Sequence, residues 1–393
     1  MFVLLAASGA GAAITVPATA NGLSATTGAS TSASSFEPAL VAEAGDSSTI
    51  FVLGTAKCGK RLCPELWRGT TGLAGTTESF TKVRAPTNAS LRHAGTGSIQ
   101  MLVFANSSDG YAVEDSSGVS VGGSSGGPIF ATTNGGRSWH SFRFGPHVFV
   151  SDVVTSSGSE FYAVLFQCNG SLNGGQTSHC GNFKLARSAA GSKKWTSVPI
   201  PGNPWINGSP VRLGVEGSAV WLSYQSLSNG VSYPHLLEST RGTAPFVDTP
   251  EPDLGGVVAC GVAPMPGGAI WAECPTGNLV SYRRSAEAGQ GFKTILTVAG
   301  TIGAAFDPVA ADVAFAYLGD DSRMLERTTD GGIGFVPVSR LPFNGGLGLQ
   351  LLFLNQQDGF ALGSFVMNQR AGTETMELLQ TFDAGTTWTR LGF

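Results

Sequence analysis

Charge is scarce in this chain. Lys, Arg, Asp and Glu make up only 13% of 393 residues, and 23 basic against 27 acidic side chains leave a net charge of −4. Both signs are scattered, so there is no basic stripe to neutralise nucleic-acid phosphates or anionic lipid, and no nucleic-acid partner is expected. The densest cluster, Lys57, Lys60 and Arg61, reads as a solvated loop. Long apolar runs are missing too. No window offers about 18 uninterrupted apolar residues, which argues against membrane insertion by a helix. Histidine is rare, and the six cysteines show no paired C-x2-C spacing, so no metal and no cofactor is expected. No cysteine precedes Cys58, which excludes a lipid-modified N-terminal cysteine.

What is abundant is glycine, 55 residues, in a chain that is 42% apolar. That mixture is too apolar for disorder and too rich in glycine for helices, and it suits many short strands joined by tight turns. Residues 1–20 form a short apolar run ending in Ala18-Thr19-Ala20, which reads as a signal peptide, and 21–35 form a Ser/Thr/Ala/Gly linker. The expected product is secreted and monomeric. Six cysteines in an exported chain point to disulfides. Other connectivities are open, but the local pairs Cys58–Cys63, Cys168–Cys180 and Cys260–Cys274 need no rearrangement of a fold. The sequons at Asn88, Asn106, Asn169 and Asn207 read as incidental in so Ala- and Gly-rich a chain.

An internal repeat organises residues 36–393. Thr381-Phe-Asp383-Ala-Gly385-Thr-Thr387-Trp388 spells S/T-x-D-x-G-x-T-W. Thr132-Thr-Asn134-Gly-Gly136-Arg-Ser138-Trp139 repeats it, as does Thr328-Thr-Asp330-Gly-Gly332-Ile-Gly334-Phe335. Weaker copies run from Ser285 to Phe292, Ser188 to Trp195 and Ser239 to Phe246, with a marginal one at Ser79-Phe80. The closing aromatics Phe80, Trp139, Trp195, Phe246, Phe292, Phe335 and Trp388 recur at roughly 50-residue spacing. The motif has the chemistry of a hairpin turn: a carboxylate or amide accepts turn N–H groups, glycine supplies a positive φ, and a hydroxyl braces the preceding strand. These are structural roles. A second signature, Asn106-Ser-Ser-Asp109-Gly110 and Asn355-Gln-Gln-Asp358-Gly359, marks another hairpin in the same phase. Each unit then reads as four strands, A to D. In the third unit these are Val148–Val154, Phe161–Phe166, Phe183–Arg187 and Trp195–Ile200. B strands apolar on both faces, with Trp221 and Trp271 in equivalent places, imply sheets stacked against one another. An all-β, seven-bladed propeller in one domain is expected.

The repeats resemble the Asp-box or BNR superfamily of propellers, which includes sialidases, Vps10-type receptors and the photosystem II assembly-factor type. That resemblance implies architecture and leaves function open, because one propeller fold hosts many activities. A sialidase needs three inward arginines and a Tyr–Glu nucleophile; on the proposed A strands only Arg212 qualifies, and Val83-Arg84-Ala85-Pro86 falls where a D strand ends. Gly122-Gly-Ser124-Ser-Gly126 matches a nucleophile elbow without the helix that must follow it. No catalytic residue is assigned. The favoured reading is a non-enzymatic binding or scaffold module for a protein or glycan, with a glycoside hydrolase or an extracytoplasmic assembly factor as alternatives.

The functional surface is expected on the face carrying the B–C loops, which expand at Lys57–Pro64, Glu114–Gly127, Gln167–Gly181, Gln225–Ser232 and Phe365–Thr373. Its candidate contacts are Lys60, Arg61, Glu114, Asp115, Asn173, His179, Tyr233, Asn368 and Arg370.

Overall fold

The computed structural model describes residues 36–393 apart from segments 46–48, 71–78, 87–98, 115–127, 147, 157, 170–178, 202–210, 229–230, 244, 250–253, 255–259, 277, 300–304, 319–322, 344–348 and 369–372. The leader at 1–20, the linker at 21–35, and the segment 122–126 lie outside the described residues, as do Asp115, Asn173 and Arg370.

Seven four-stranded antiparallel sheets follow one another along the chain, each with its strands in sequence order. Blade 1 holds β1 (Glu37–Glu43), β2 (Thr49–Cys58), β3 (Arg61–Thr70) and β4 (Thr81–Val83). Blade 2 holds β5 (Ile99–Phe104), β6 (Asp109–Glu114), β7 (Ile129–Thr133) and β8 (His140–Phe142). Blade 3 holds β9 (Val148–Ser156), β10 (Glu160–Asn169), β11 (His179–Ala189) and β12 (Thr196–Val198). Blade 4 holds β13 (Arg212–Glu216), β14 (Ala219–Ser228), β15 (Val231–Ser239) and β16 (Val247–Asp248). Blade 5 holds β17 (Gly261–Pro264), β18 (Ile270–Thr276), β19 (Leu279–Ser285) and β20 (Lys293–Ala299). Blade 6 holds β21 (Ala305–Pro308), β22 (Ala314–Tyr317), β23 (Met324–Thr328) and β24 (Val336–Arg340). Blade 7 holds β25 (Gln350–Phe353), β26 (Gly359–Asn368), β27 (Thr373–Thr381) and β28 (Thr389–Arg390). This is a seven-bladed β-propeller. Among the described residues no helix is long and apolar enough to cross a membrane.

The core is built between blades. Phe51 and Leu66 of blade 1 pack with Phe104 and Phe130 of blade 2, and Phe315 and Leu325 of blade 6 pack with Phe353 and Leu379 of blade 7. The rings of Phe51 and Phe104 stack 3.5 Å apart, and those of Phe315 and Phe353 stack 3.6 Å apart. Each stack needs a glycine. A β-carbon on Gly110 or Gly359 meets the Phe104 or Phe353 ring at 2.4 or 2.5 Å, which explains the glycine of the Asp-Gly signatures. In the same turns the Asn106 and Asn355 side-chain oxygens accept the amides of Asp109 and Asp358 at 2.9 Å. Trp221 and Trp271, on the B strands of blades 4 and 5, are both buried.

The C–D turns of blades 2, 6 and 7 share one geometry. The hydroxyls of Thr132, Thr328 and Thr381 accept the amides of Gly136, Gly332 and Gly385 at 2.9–3.0 Å and donate to Asn134, Asp330 and Asp383. Those side chains in turn accept the amides of Ser138, Gly334 and Thr387. The glycines lie at φ 81°, 88° and 82°, where any side chain is strained. The turns also key each blade to the one before it. The Trp139 indole donates to the Arg84 carbonyl at 2.7 Å, and Trp388 donates to the Ser339 hydroxyl at 3.2 Å. Phe335 is half-buried.

Several B–C connections read as loops are strand. β2 runs to Cys58 and β3 resumes at Arg61, with Gly59 at φ 70° in the turn; β14 and β15 are parted only by residues 229–230, and β26 and β27 only by 369–372. Asn229-Gly230 is a two-residue hairpin signal, and such a turn lets the ladder continue past the blade body.

Candidate functional site

In an antiparallel four-stranded blade, the A–B and C–D turns share one face of the disc, while the B–C hairpins and D–A crossovers share the other. On the B–C face, Lys60 and Arg61 are exposed at the tip of the β2–β3 arm, which the Cys58–Cys63 disulfide staples. Glu114 ends β6, half-buried; partial withdrawal from water raises its carboxyl above the usual range, with Arg143 opposing. Tyr233 is 48% exposed on β15. His179 begins β11 and Asn368 ends β26, but their side chains lie outside the described residues. Cys168 and Cys180 are register partners across β10 and β11, with side chains likewise outside. The candidates thus sit on several blades; among the described side chains, Lys60 and Arg61 share a tip. Exposed apolar side chains join them. Leu62, Val231 and Leu279, each about half exposed, stand with Tyr233 at the starts of C strands.

Composition gave no sign of a second feature, a cavity of about 410 Å³ walled by the inner strands of blades 3 to 6. Asp152 of β9, Arg212 of β13 and Glu273 of β18 line it, over apolar surface from Trp271, Phe306 and Pro308. Arg212 is exposed and makes no hydrogen bond or salt bridge with described residues. Glu273 is solvent-accessible although protein surrounds it on most sides, and that partial desolvation raises its carboxyl, with Arg212 opposing. Its access depends on Gly261, its register partner, where an added methyl meets nothing nearer than 4.0 Å. The Cys260–Cys274 disulfide, spanning the A–B hairpin, fixes the two strands beside this opening.

Asp152 also ties two blades together. It accepts the Leu213 amide at 2.9 Å, and burial raises its carboxyl more than that bond and Arg212 lower it. Asp307 repeats the device by accepting the Phe353 amide; burial, reinforced by Glu43, pushes it up to about 7. Gln350 does the same for the Val41 amide at 3.2 Å. Only Arg212 of this set was recognised from sequence, as an inward-facing residue on an A strand. Among the described residues no group of three His, Cys, Asp or Glu side chains is placed to hold a metal ion.

No protein-family model matches the chain, and no curated protein matches it. Solved structures do. An acylaminoacyl peptidase in complex with Z-Gly-Gly-Phe-chloromethyl ketone is 9% identical with a TM-score of 0.53, over 91% of this chain and 52% of that one. The β-propeller domain of the Trilobed protease from Pyrococcus furiosus, described as having an open velcro topology, is 8% identical with a TM-score of 0.52, over 92% and 97%. YCF48 bound to D1 peptide is 11% identical over 88% of this chain and 92% of that one, with a TM-score of 0.48. At such identities the likeness is one of fold: the chain is a β-propeller similar to these, and its chemistry has to be argued from its own side chains.

Proposed function

We propose that this chain is an extracytoplasmic propeller, exported by the leader at 1–20, whose principal function is to bind a protein or glycan through its B–C face. The observation that carries the reading is the concentration on that face of extended arms with exposed side chains, Lys60, Arg61 and Leu62 on one and Val231 and Tyr233 on another. A rigid disc presenting variable projections is how scaffolds commonly bind. The Cys58–Cys63 staple lowers the entropy lost on binding and suits an oxidising compartment. Co-purification from the native host and a glycan array identify the partner. Alanine at Lys60, Arg61 and Tyr233 is then expected to weaken binding about tenfold with the melting temperature unchanged. If only changes at the opposite face, such as Arg137 or Ile333, weakened binding, the assignment of the face would be wrong.

A glycoside hydrolase is the second reading, favoured by the raised carboxyls of Glu273 and Asp152 in one cavity. Turnover of fluorogenic glycosides, a sialoside among them, that Glu273→Gln abolishes would establish it in place of the first.

A further inference from the structure

Blade 4 carries a hydrogen-bonded chain that neither reading uses. The Ser226 hydroxyl lies 2.7 Å from Nε2 of His235, and Nδ1 of His235 lies 3.1 Å from a carboxylate oxygen of Asp248. Three adjacent strands, β14, β15 and β16, supply the three residues. The register fixes them: Ser226 pairs with Tyr233, His235 with Tyr224, and Asp248 with Leu237. The imidazole also lies flat on the Tyr224 ring, centroids 4.7 Å apart and planes 11° apart, so stacking and the Asp248 bond both hold its orientation. Ser226 and His235 are partly exposed and Asp248 is half exposed, so solvent and small substrates have access.

A hydroxyl within reach of an imidazole that a carboxylate orients is the arrangement that activates a serine, whatever the order of the residues in the chain. Exposed apolar surface stands beside it. Val231 and Tyr233 precede His235 at alternate positions of β15 and so share its face of the sheet. We propose that Ser226, His235 and Asp248 form a nucleophilic relay on the rim of blade 4 that takes acyl groups from activated esters of apolar acids, with Val231 and Tyr233 receiving the acyl chain.

In the first step Oγ of Ser226 bonds to the ester carbonyl carbon while His235 Nε2 takes the hydroxyl proton. The carbonyl π pair moves onto oxygen and returns as the C–O bond to the leaving group breaks. The departing oxygen takes the proton from His235, leaving an acyl ester on Ser226. Water then adds to that ester with His235 again as base, which releases the carboxylic acid and restores the hydroxyl. Asp248 holds the Nδ1–H and stabilises the imidazolium formed in both steps. The three relay side chains supply no donor to the developing oxyanion, so esters with good leaving groups are the fitting class.

The test is labelling of the purified chain with a fluorophosphonate, followed by peptide mapping, together with hydrolysis of p-nitrophenyl butyrate. One label per chain at Ser226 is expected. Ser226→Ala removes it, and His235→Gln slows it about a hundredfold. Tyr233→Ala reduces the preference for butyrate over acetate while the fluorophosphonate still labels Ser226. Melting curves check folding; if Ser226→Ala does not fold, Ser226→Cys serves, expected to lose fluorophosphonate labelling and gain iodoacetamide labelling that depends on His235. Label at other serines, no label, or equal labelling of wild type and His235→Gln overturns the proposal and leaves a structural hydrogen-bond chain.

Discussion

The hydroxyl of Thr381 illustrates how much one atom holds in a C–D turn: it accepts the buried Gly385 amide and donates to Asp383, whose carboxylate in turn accepts the Thr387 amide and hydroxyl. Thr381→Val keeps the shape and removes both bonds. The expected loss is about 1–3 kcal/mol, read by thermal denaturation, with Thr381→Ser much milder. The carboxylates have opposite pH signatures. In Asp383 burial opposes, but the Thr387 and Thr381 bonds prevail; in Asp330 the Gly334 amide and Thr328 hydroxyl act most strongly, with desolvation opposing. Both pKa values are lowered, so the stability they confer is present above the ordinary Asp value and is lost as pH falls through their folded values. Asp307 behaves in reverse. Burial raises it to about 7, so folding takes up a proton between pH ~4 and pH 7, and its contribution declines as pH rises across that window. Asp307→Asn, which keeps an oxygen for the Phe353 amide, is expected to raise the melting temperature at pH 8 and to raise it less at pH 5.

At the scale of the element, the hairpins explain what was legible in sequence. The C–D turns of blades 2, 6 and 7 and the two Asp-Gly turns are closed by contacts at most four residues apart, so their signatures survive as strings, and three clear copies in phase with four weak ones imply seven blades. Glu273 lines the cavity opposite Gly261 and together with Arg212 of another blade, and no local string records that. Ser226, His235 and Asp248 meet only because the β14–β15 ladder runs unbroken to the Ser228–Val231 pair, in a segment that reads from sequence as a loop. Asn229-Gly230 was the available signal. The disulfides belong to this scale too. The Cys260–Cys274 bridge joins residues 14 apart, so replacing both by alanine is expected to cost about 3 kcal/mol; Cys58–Cys63, with a separation of 5, is expected to cost less. Denaturant titrations of the two double variants compare them directly. Non-reducing peptide maps should keep Cys260 with Cys274; a link from Cys260 to another blade would contradict the blade boundaries.

For the molecule as a whole, the ring closes without exchange of a strand. Blade 7 meets blade 1 through the Gln350 amide on the Val41 backbone, Glu37 on the Met376 amide, and an apolar cluster in which Phe393 touches Phe36, Trp67 and Phe80. Phe393→Ala is expected to cost about 1–3 kcal/mol, since the ring is only partly buried. It should also speed hydrogen exchange in β1 and β27 before β10 and β11, a pattern that mass spectrometry of exchanged peptides resolves. Because every blade is one contiguous stretch, a chain emerging from its N-terminal end completes each sheet as soon as it is made and lays the next against it. The first sheet alone has to wait. Val41, Ile50 and Val52 stay uncovered until Phe360, Leu362 and Leu378 arrive from the far end, so for most of its assembly the molecule is an open arc with one sticky edge. The joining of its two ends is then expected to be the slowest and most aggregation-prone step of its folding.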